Sequence, residues 1–392
     1  MTLPRLSQSP RDPAFVQDPY PFYDRARAAG PLFLWEDYGH ACSADHGTVS
    51  ALLRDRRFGR ENPFPPDIPE HLEPFYRIER VSMLEREPPV HTRLRGLVLR
   101  AFTSRRVAAM EAYVKDLCHS LIDRFDGPEI DLMPAYAERI PVVVICRLLG
   151  VPEEMSDDLL AWSHDMVAMY QARRDRAVED RAVAATLAFR AFIEDYIAAR
   201  RRAPRDDLLS DLIAARDGGE KLSDDELVAT VILLLNAGHE ATVHGIGNGV
   251  KACLERGADL HTLATAPGLV EEVLRYTPPL HMFTRFAQED MEVAGHRFKT
   301  GDVVGLMLAA ANRDPATFAE PERFNPARDA RAQVSFGAGL HFCVGAPLAR
   351  LEMAQALPIL FARYPTLALA EPPRFADRYH FHGLEALRLR LE

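Results

Sequence analysis

The most constraining feature of the sequence is one stretch that predicts a helix long enough to cross an entire domain. Ser223 in "SDDE" suits the N-cap position, and Glu226 three residues later completes a capping box. The helical pattern continues to about Arg256, which at about 1.5 Å per residue corresponds to roughly 50 Å. A helix of that length has to run through the body of the protein.

Helical patterns also dominate the rest of the chain. They recur over residues 91–125, 137–149, 155–170, 178–202 and 205–216. The β-like runs "LFLW" and "HACSA" are short by comparison. Because no linker rich in Pro, Gly or Ser separates two compositional halves, the sequence predicts one large, mainly α domain with small β-sheets.

Composition excludes several classes of partner. The 392 residues carry a net charge of −10, which argues against non-specific nucleic-acid binding. The N-terminal "MTLPRLSQSPRDP" lacks the apolar core of a signal peptide. The most apolar stretch, Leu227 to Gly238, is shorter than the roughly 20 residues of a membrane span. We therefore expect a soluble, cytoplasmic protein without nucleic-acid or membrane partners.

The cysteines point to a metal site with a single thiolate. Five cysteines are present, far apart and without a C-x-x-C, which argues against a disulfide framework and a zinc or iron–sulfur site. Cys343 lies among three glycines in "FGAGLHFCVG", and glycines permit a tight bend close to another group. A metal held here would take one protein thiolate, and a porphyrin would supply four nitrogens. The alternative is a surface turn that contains a buried cysteine.

Basic side chains and an acid–base pair accompany this loop. Four side chains able to bind carboxylates are His91, Arg95, Arg285 and His341. In "LVEEVLRYTPP", Glu272 and Arg275 share one helix face at i, i+3 among apolar residues, which predicts a buried ion pair. A buried pair needs additional partners, and Arg323 in "EPERFNP" is the candidate.

Together these segments resemble the cytochrome P-450 family. "FGAGLHFCVGAPLAR" is similar to the haem-binding loop F-x-x-G-x-x-x-C-x-G, with Phe336, Gly339, Cys343 and Gly345 in place. "AGHEAT", in the middle of the long helix, resembles the oxygen-activating segment, and "EEVLR" and "EPERF" match two further family motifs. The resemblance runs from about residue 13 to the C-terminus. It implies an N-terminal extension over residues 1–12 and one P-450 domain over residues 13–392, whose long central helix passes over the haem.

The resemblance implies roles for individual residues. Cys343 would be the thiolate ligand of a haem b (iron protoporphyrin IX), with the propionates held by His91, Arg95, Arg285 and His341. The remaining haem-binding residues would be Ala237, Gly238, Phe336, Gly339 and Gly345. Ala237 and Gly238 would let the flat haem lie against the helix, and a helix kink is the alternative explanation of these small residues. Glu272, Arg275 and Arg323 would be structural.

The same resemblance implies a haem-thiolate monooxygenase that uses O₂ and inserts one oxygen atom into a small, largely apolar organic substrate. Residues that would line the substrate pocket are Met83, Leu233, Asn236, Ala237, Met282, Phe283 and Phe381. The chain contains no flavin, Rossmann or iron–sulfur motif, so we expect electrons from an external ferredoxin and an NAD(P)H-dependent reductase. We expect a monomer. A peroxide-driven peroxygenase and a haem-binding sensor without turnover remain as alternatives, and Glu240 in the central helix weighs against both.

The proton-delivery segment departs from the family pattern. Glu240 and Thr242 are the predicted catalytic residues, but Ala241 follows Glu240 where most relatives carry a threonine whose hydroxyl helps to deliver protons. Thr242 is turned about 100° further around the helix, so it does not simply replace that hydroxyl. We expect a substrate hydroxyl or an ordered water to complete the relay from Glu240.

Overall fold

The computed structural model describes residues 2–170, 174–216, 219–257, 259–379 and 381–391. Its α-helices are α1 (Pro13–Gln17), α2 (Tyr20–Ala29), α3 (His46–Leu52), α4 (Glu73–Glu79), α5 (Val90–Ala101), α6 (Ser104–Ala109), α7 (Glu111–Ile122), α8 (Arg139–Leu149), α9 (Ser156–Val167), α10 (Arg176–Arg202), α11 (Leu208–Ala214), α12 (Asp224–Glu255), α13 (Leu260–Ala264), α14 (Leu269–Tyr276), α15 (Leu308–Ala311) and α16 (Ala346–Arg363). Its strands are β1 (Arg5–Leu6), β2 (Phe33–Trp35), β3 (His40–Ser43), β4 (Phe58–Gly59), β5 (Glu129–Asp131), β6 (Phe283–Ala287), β7 (Met291–Val293), β8 (His296–Phe298), β9 (Val303–Leu306), β10 (Ala368–Leu369) and β11 (Arg388–Arg390). Shorter helical turns occur at Glu70–Leu72, Met83–Glu85, Met133–Ala137, Glu153–Met155, Ala168–Tyr170 and Gly339–His341. The predicted fold class, mainly α with small sheets, is confirmed.

Helix α12 is the axis of the fold. Both hydrogen bonds of the predicted capping box are present: the Ser223 amide donates to Glu226 Oε2 (2.9 Å), and the Glu226 amide donates to Ser223 Oγ (3.2 Å). Helices α8, α9, α10 and α16 pack around it. Among the described residues, α12 alone is long and apolar enough to cross a membrane by length and composition, and 72% of its apolar window is buried. That degree of burial is typical of a core helix.

The predicted helix over residues 91–125 consists of three helices. Helix α5 ends at Ala101, and the Thr103 hydroxyl then accepts from the Arg106 amide (3.2 Å) as the N-cap of α6. Because a hydroxyl at this position satisfies an unpaired helix amide, it favours a new helix start. Asp207 caps α11 in the same way by accepting from the Ser210 amide (2.8 Å), so α11 is shorter than the predicted range 205–216. Helices α8, α9 and α10 lie within the predicted ranges or extend them by a few residues.

The largest sheet joins distant parts of the chain. Its six strands have the order β1-β2-β3-β9-β6-β4, beside a three-stranded sheet β10-β11-β5 and a hairpin β7-β8. "LFLW" and "HACSA" form β2 and β3, as predicted. Strand β1 pairs with β2 in parallel, and the Trp35 indole donates to the Gln8 carbonyl (2.8 Å). Part of the predicted N-terminal extension is therefore built into this sheet, and the boundary at residue 13 stays a prediction.

Glu272 and Arg275 form the predicted buried pair on α14. The Arg275 Nε and Nη2 atoms donate to the two Glu272 carboxylate oxygens at 2.7 Å each, and neither side chain is exposed to solvent. Arg275 Nη1 also donates to the carbonyl oxygens of Asn312 (3.0 Å) and Pro321 (2.8 Å). Glu272 Oε1 accepts from the Asn325 amide (2.7 Å). Both buried charges are thus satisfied, which such a pair requires.

Arg323 contributes to this pair through its backbone. Its carbonyl oxygen accepts from Arg275 Nη2 (3.1 Å), whereas its guanidinium is 67% exposed and pairs with Glu320. The side chain that approaches Glu272 is Arg328, whose Nε lies 3.5 Å from Oε1. Arg323 is therefore a partner of the pair, as predicted, and it acts through its carbonyl oxygen, whereas the approaching side chain is that of Arg328.

We expect Glu272→Ala to destabilise the fold strongly, because it leaves the Arg275 charge buried without its partner. Breaking such a pair costs about 3–5 kcal/mol, measured as the free energy of unfolding in urea. Glu320→Ala is the matched control, since its pair with Arg323 is solvent-exposed and such pairs contribute about 0–1 kcal/mol. Equal stability of the two variants would contradict a structural role for the buried pair.

Candidate active site

Hydrogen bonds fix the loop that carries Cys343. The Asn312 side chain donates to Ser335 Oγ (2.8 Å) and accepts from the Val334 amide (2.8 Å). The Ser335 hydroxyl donates in turn to the Leu274 carbonyl (2.7 Å). The loop is therefore attached to α14 on one side, and it continues into α16 on the other.

Two positions in this loop require glycine. Gly337 and Gly339 have φ values of 69° and 70°, a conformation that other residues rarely adopt. A Cβ atom on Gly339 would also lie 2.7 Å from the Leu53 carbonyl oxygen. These glycines let the loop bend and pack against the end of α3. Gly345 is less constrained, since a Cβ atom there would meet only the Cys343 sulfur, at 3.8 Å.

Cys343 differs from the other cysteines in its surroundings. Its side chain is exposed into a cavity, and its sulfur accepts from the amides of Gly345 and Ala346 at the start of α16. Because the cavity is enclosed by protein, desolvation raises the pKa of the Cys343 thiol, while these amides and the charges of Arg95 and Arg350 lower it. Burial raises the pKa of each remaining cysteine to about 12: Cys42, Cys118, Cys146 and Cys253. Those four are inert buried thiols.

The cavity lies between the Cys343 loop and α12 and has a volume of about 730 Å³. Every predicted substrate residue lines it: Met83, Leu233, Asn236, Ala237, Met282, Phe283 and Phe381. The two predicted catalytic residues, Glu240 and Thr242, line it as well. Of the predicted haem-binding residues, Gly339 and Arg285 lie outside its lining. The fold thus places the Cys343 thiol, the "AGHEAT" segment of α12 and apolar side chains around the same cavity.

Basic side chains crowd one side of this cavity. His91, Arg95 and His341 line it, and the rings of the two histidines are 4.4 Å apart. Arg60, which the sequence did not single out, also lines the cavity. Among the described residues, the Nε atoms of Arg60 and Arg285 and the Nδ1 atom of His91 are buried without a hydrogen-bond partner.

Burial and mutual repulsion perturb this cluster. Burial, followed by the charges of His341 and Arg95, lowers the pKa of His91 to about 4. Burial and the charge of Arg60 lower the pKa of Arg285 to about 9. Two carboxylates would satisfy the unpartnered nitrogens with charge-assisted hydrogen bonds. The cluster therefore suits a dianionic ligand.

His341 is engaged by a protein carboxylate. Its Nε2 atom lies 2.7 Å from Glu87 Oε1, and Glu87 also accepts from the Arg60 amide (2.7 Å). A ligand carboxylate would therefore have to compete with Glu87 for His341 Nε2. Sequence reasoning missed Glu87 because it lies 254 residues from its partner.

Helix α12 runs unbroken through the "AGHEAT" segment. Ala237 is exposed to the cavity. A Cβ atom on Gly238 would lie 3.1 Å from Ile145 Cγ1 on α8. Gly238 therefore permits close packing of two helices in addition to lining the cavity.

Glu240 is buried among basic side chains. Its Oε2 atom lies 3.3 Å from His164 Nε2 and 3.6 Å from His239 Nε2. Its Oε1 atom lies 3.4 Å from His244 Nε2 and 3.9 Å from Arg378 Nη1. Burial alone would raise the pKa of Glu240, but hydrogen bonds with His164 and His244 hold it well below its ordinary value. Glu240 is therefore a carboxylate at neutral pH.

A second acid, Glu352 on α16, lies beside Thr242. It is fully buried, and neither carboxyl oxygen has a partner in good hydrogen-bond geometry among the described residues. Burial raises the pKa of Glu352 well above its ordinary value, and contact with the Thr242 hydroxyl offsets only part of that effect. Both its burial and its raised pKa favour the neutral carboxylic acid form of Glu352. Its only sequence signal is an acid in the apolar run "LEMAQALP".

Comparisons with known proteins agree with this arrangement. The sequence model of the family described as Cytochrome P450 matches residues 255–375. Vitamin D(3) 25-hydroxylase of Pseudonocardia autotrophica is 41% identical over 374 residues, covering 91% of this chain and 89% of that protein. The chain belongs to the cytochrome P450 family.

Two further relatives cover nearly the whole of this cytochrome P450. A biotin biosynthesis cytochrome P450 of Bacillus subtilis (strain 168) is 33% identical over 396 residues, which is 99% of this chain and 100% of that protein. The crystal structure of P450BioI in complex with an acyl carrier protein ligated to hexadec-9Z-enoic acid is 33% identical, with a TM-score of 0.91 and coverage of 97% and 99%. The chain is accordingly a P450 monooxygenase with the predicted fold.

Family membership implies a haem with a cysteine thiolate ligand. The residues present fit that group: one thiol faces the cavity beside two amide donors, and unpartnered nitrogens of His91, Arg60 and Arg285 suit two carboxylates. Amide donors at a ligating sulfur tune its donor strength. The thiol, the two amides and the unpartnered nitrogens are therefore the groups that suit a haem in this cavity.

We expect Cys343→His to abolish the absorption band of the ferrous–CO thiolate complex, because the other cysteines are buried away from the cavity. Cys253→Ser is the control and should keep the band, since Cys253 is fully buried. The measurement is a CO difference spectrum of each purified variant. A normal thiolate band in Cys343→His would exclude Cys343 as the ligand.

Proposed function

We propose that this P450 inserts one oxygen atom of O₂ into a small, largely apolar organic substrate, with electrons from an external ferredoxin and an NAD(P)H-dependent reductase. The observation that carries the proposal is the cavity itself. Cys343 faces it from one side, Glu240 and Thr242 border it on α12, and apolar side chains form much of the remaining lining. These are the parts that oxygen insertion into a carbon skeleton requires.

Each side chain has a definite task in this proposal. Cys343 ligates the haem b iron, with Phe336, Gly339 and Gly345 shaping the loop around it. His91, Arg95 and Arg285 bind the propionates together with Arg60, while His341 positions the cluster through Glu87. Ala237 and Gly238 border the haem from α12. The unpartnered nitrogens of this cluster support the assignment, because each needs an acceptor.

Protons reach the cavity through the acids on α12 and α16. When bound, the haem supplies the electron-transfer chemistry that activates O₂ and cleaves its O–O bond. Glu240 Oε2 receives a proton from His164 Nε2, whose side chain is 45% exposed and therefore in contact with solvent. Glu352 holds a second proton at its carboxyl beside the Thr242 hydroxyl. Both routes end at the cavity lining.

The walls select an apolar substrate with a polar group on the α12 side. Met83, Met282, Phe283 and Phe381 contribute apolar surface to the cavity. The Asn236 amide donates to Met166 Sδ (3.6 Å), and its oxygen is buried without a hydrogen-bond partner among the described residues. That oxygen can accept a hydrogen bond from a substrate hydroxyl. We further propose that the protein acts as a cytoplasmic monomer.

A comparison of electron sources tests the proposed function. Vitamin D₃ and hexadec-9Z-enoic acid are suitable first probes, because the names of two relatives contain them, and binding is read from the haem absorption shift. We expect product with ferredoxin, reductase and NAD(P)H under O₂, and little with peroxide alone. Product with peroxide alone would favour a peroxygenase. Substrate shifts without product under either condition would favour a sensor.

Ala241 makes proton delivery dependent on the substrate. Position 241 borders the cavity but carries no hydroxyl, whereas the Thr242 hydroxyl contacts Glu352. The link between Glu240 and the reacting oxygen therefore has to come from the cavity contents. A substrate hydroxyl or an ordered water held by it supplies this link.

We expect coupling, the product formed per NAD(P)H consumed, to be several-fold higher for hydroxylated substrates than for their deoxygenated analogues. Ala241→Thr should raise coupling for the deoxygenated analogues and change it little for the hydroxylated ones. Ala241→Val is the matched control, because valine has the shape of threonine without its hydroxyl. Equal wild-type coupling for both analogue sets would contradict substrate assistance.

A further inference from the structure

We propose that His164, His239 and Glu240 form a binding site for a divalent transition-metal ion of the zinc class, at the contact between α9 and α12. The three ligand atoms would be His164 Nε2, His239 Nε2 and Glu240 Oε2. This site lies beside the haem cavity and is separate from the Cys343 loop. Two imidazoles and one carboxylate form a donor set that suits Zn²⁺.

The distances suit a single ion. Glu240 Oε2 lies 3.3 Å from His164 Nε2 and 3.6 Å from His239 Nε2. All three atoms lie within 4.8 Å of one another. Ligands about 2.1 Å from a tetrahedral ion are separated by about 3.4 Å. Small side-chain adjustments therefore bring all three atoms into coordination.

The hydrogen bond of His239 leaves its other nitrogen as an acceptor. Its Nδ1 atom lies 2.8 Å from the Leu235 carbonyl oxygen. A carbonyl can only accept, so Nδ1 carries the hydrogen and Nε2 of the neutral ring carries a lone pair. That lone pair is buried, has no hydrogen-bond partner among the described residues, and faces Glu240 Oε2. A cation between Nε2 and Oε2 would give the unpartnered nitrogen a partner.

The other contacts of Glu240 orient its carboxylate for metal binding. Glu240 Oε1 lies near His244 Nε2 (3.4 Å) and Arg378 Nη1 (3.9 Å). These groups orient the carboxylate and leave Oε2 directed at the two imidazoles, as outer contacts of metal ligands commonly do. The Leu235 carbonyl orients His239 by the same principle.

The charges and the exposure of the site admit an ion from solvent. The His164 side chain is 45% exposed, so it offers the first ligand at the surface, while the other two are buried. Glu138 adds a negative charge near His164 and Glu240, and Arg378 opposes it. One ligand position remains for water, because three protein ligands leave a tetrahedral ion incomplete.

The consequence for turnover rests on the proposed function. A metal ion on Glu240 Oε2 occupies the atom that would receive a proton from His164. Zn²⁺ should therefore suppress product formation without displacing the substrate, whose binding residues lie elsewhere on the cavity wall.

Calorimetric titration of Zn²⁺ into the haem-loaded protein tests the site independently of activity. We expect binding of one equivalent, at least about 100-fold weaker in His164→Ala and in Glu240→Gln, since each removes a ligand. His71→Ala is the matched control with wild-type affinity, because His71 pairs with Glu179 (2.7 Å) outside this site. His164 is partly exposed, so its variant should keep the fold and the haem spectrum.

Zinc-edge X-ray absorption of the one-equivalent sample then identifies the ligands. We expect two imidazoles, oxygen ligands and no sulfur. No saturable binding, equal affinity in His164→Ala, or a sulfur ligand would each overturn the site. One equivalent of Zn²⁺ that binds but leaves turnover unchanged would overturn its link to proton delivery.

Discussion

The buried contact between Glu272 and Arg275 supports the rest of the site. Arg275 donates to the Asn312 carbonyl, and the Asn312 side chain holds Ser335 and the Val334 amide at the start of the Cys343 loop. A chain of hydrogen bonds thus connects one ion pair to the start of the loop that carries the thiol. Because a buried, satisfied pair has one good geometry, the position of the loop is fixed as well.

The basic cluster, in contrast to the Glu272–Arg275 pair, destabilises the folded protein when no ligand is bound. His91, Arg95, Arg60 and Arg285 stand close enough for burial and repulsion to lower the pKa values of His91 and Arg285. A dianionic ligand relieves this cost, so its binding free energy adds to the stability of the folded state. The Glu272–Arg275 pair and the cluster therefore make complementary contributions: the pair fixes the loop, and the cluster has nitrogens that suit the carboxylates of a ligand.

Local patterns could be predicted from the sequence, and contacts between distant segments could not. The capping box of α12 and the Cys343 loop are complete within a few residues, so their spacing was sufficient to find them. Glu87, Glu352 and His164 acquire their roles only from partners far away in the chain, and no spacing indicates them. Arg323 shows the same limit, since the motif identified the segment but not which of its groups reaches the pair.

Two acids close to positions 241 and 242 have pKa values that are shifted in opposite directions. Basic neighbours lower the pKa of Glu240, and burial raises the pKa of Glu352. Active sites that separate the pKa values of two acids commonly give them different tasks. The hydroxyl of Thr242, one residue beyond Ala241, contacts the neutral acid and not the ionised one. The Thr242 hydroxyl on α12 therefore contacts Glu352 instead of Glu240. We propose that the ionised acid reaches the reacting oxygen through a substrate hydroxyl or an ordered water, so that proton supply on this side depends on what the cavity holds.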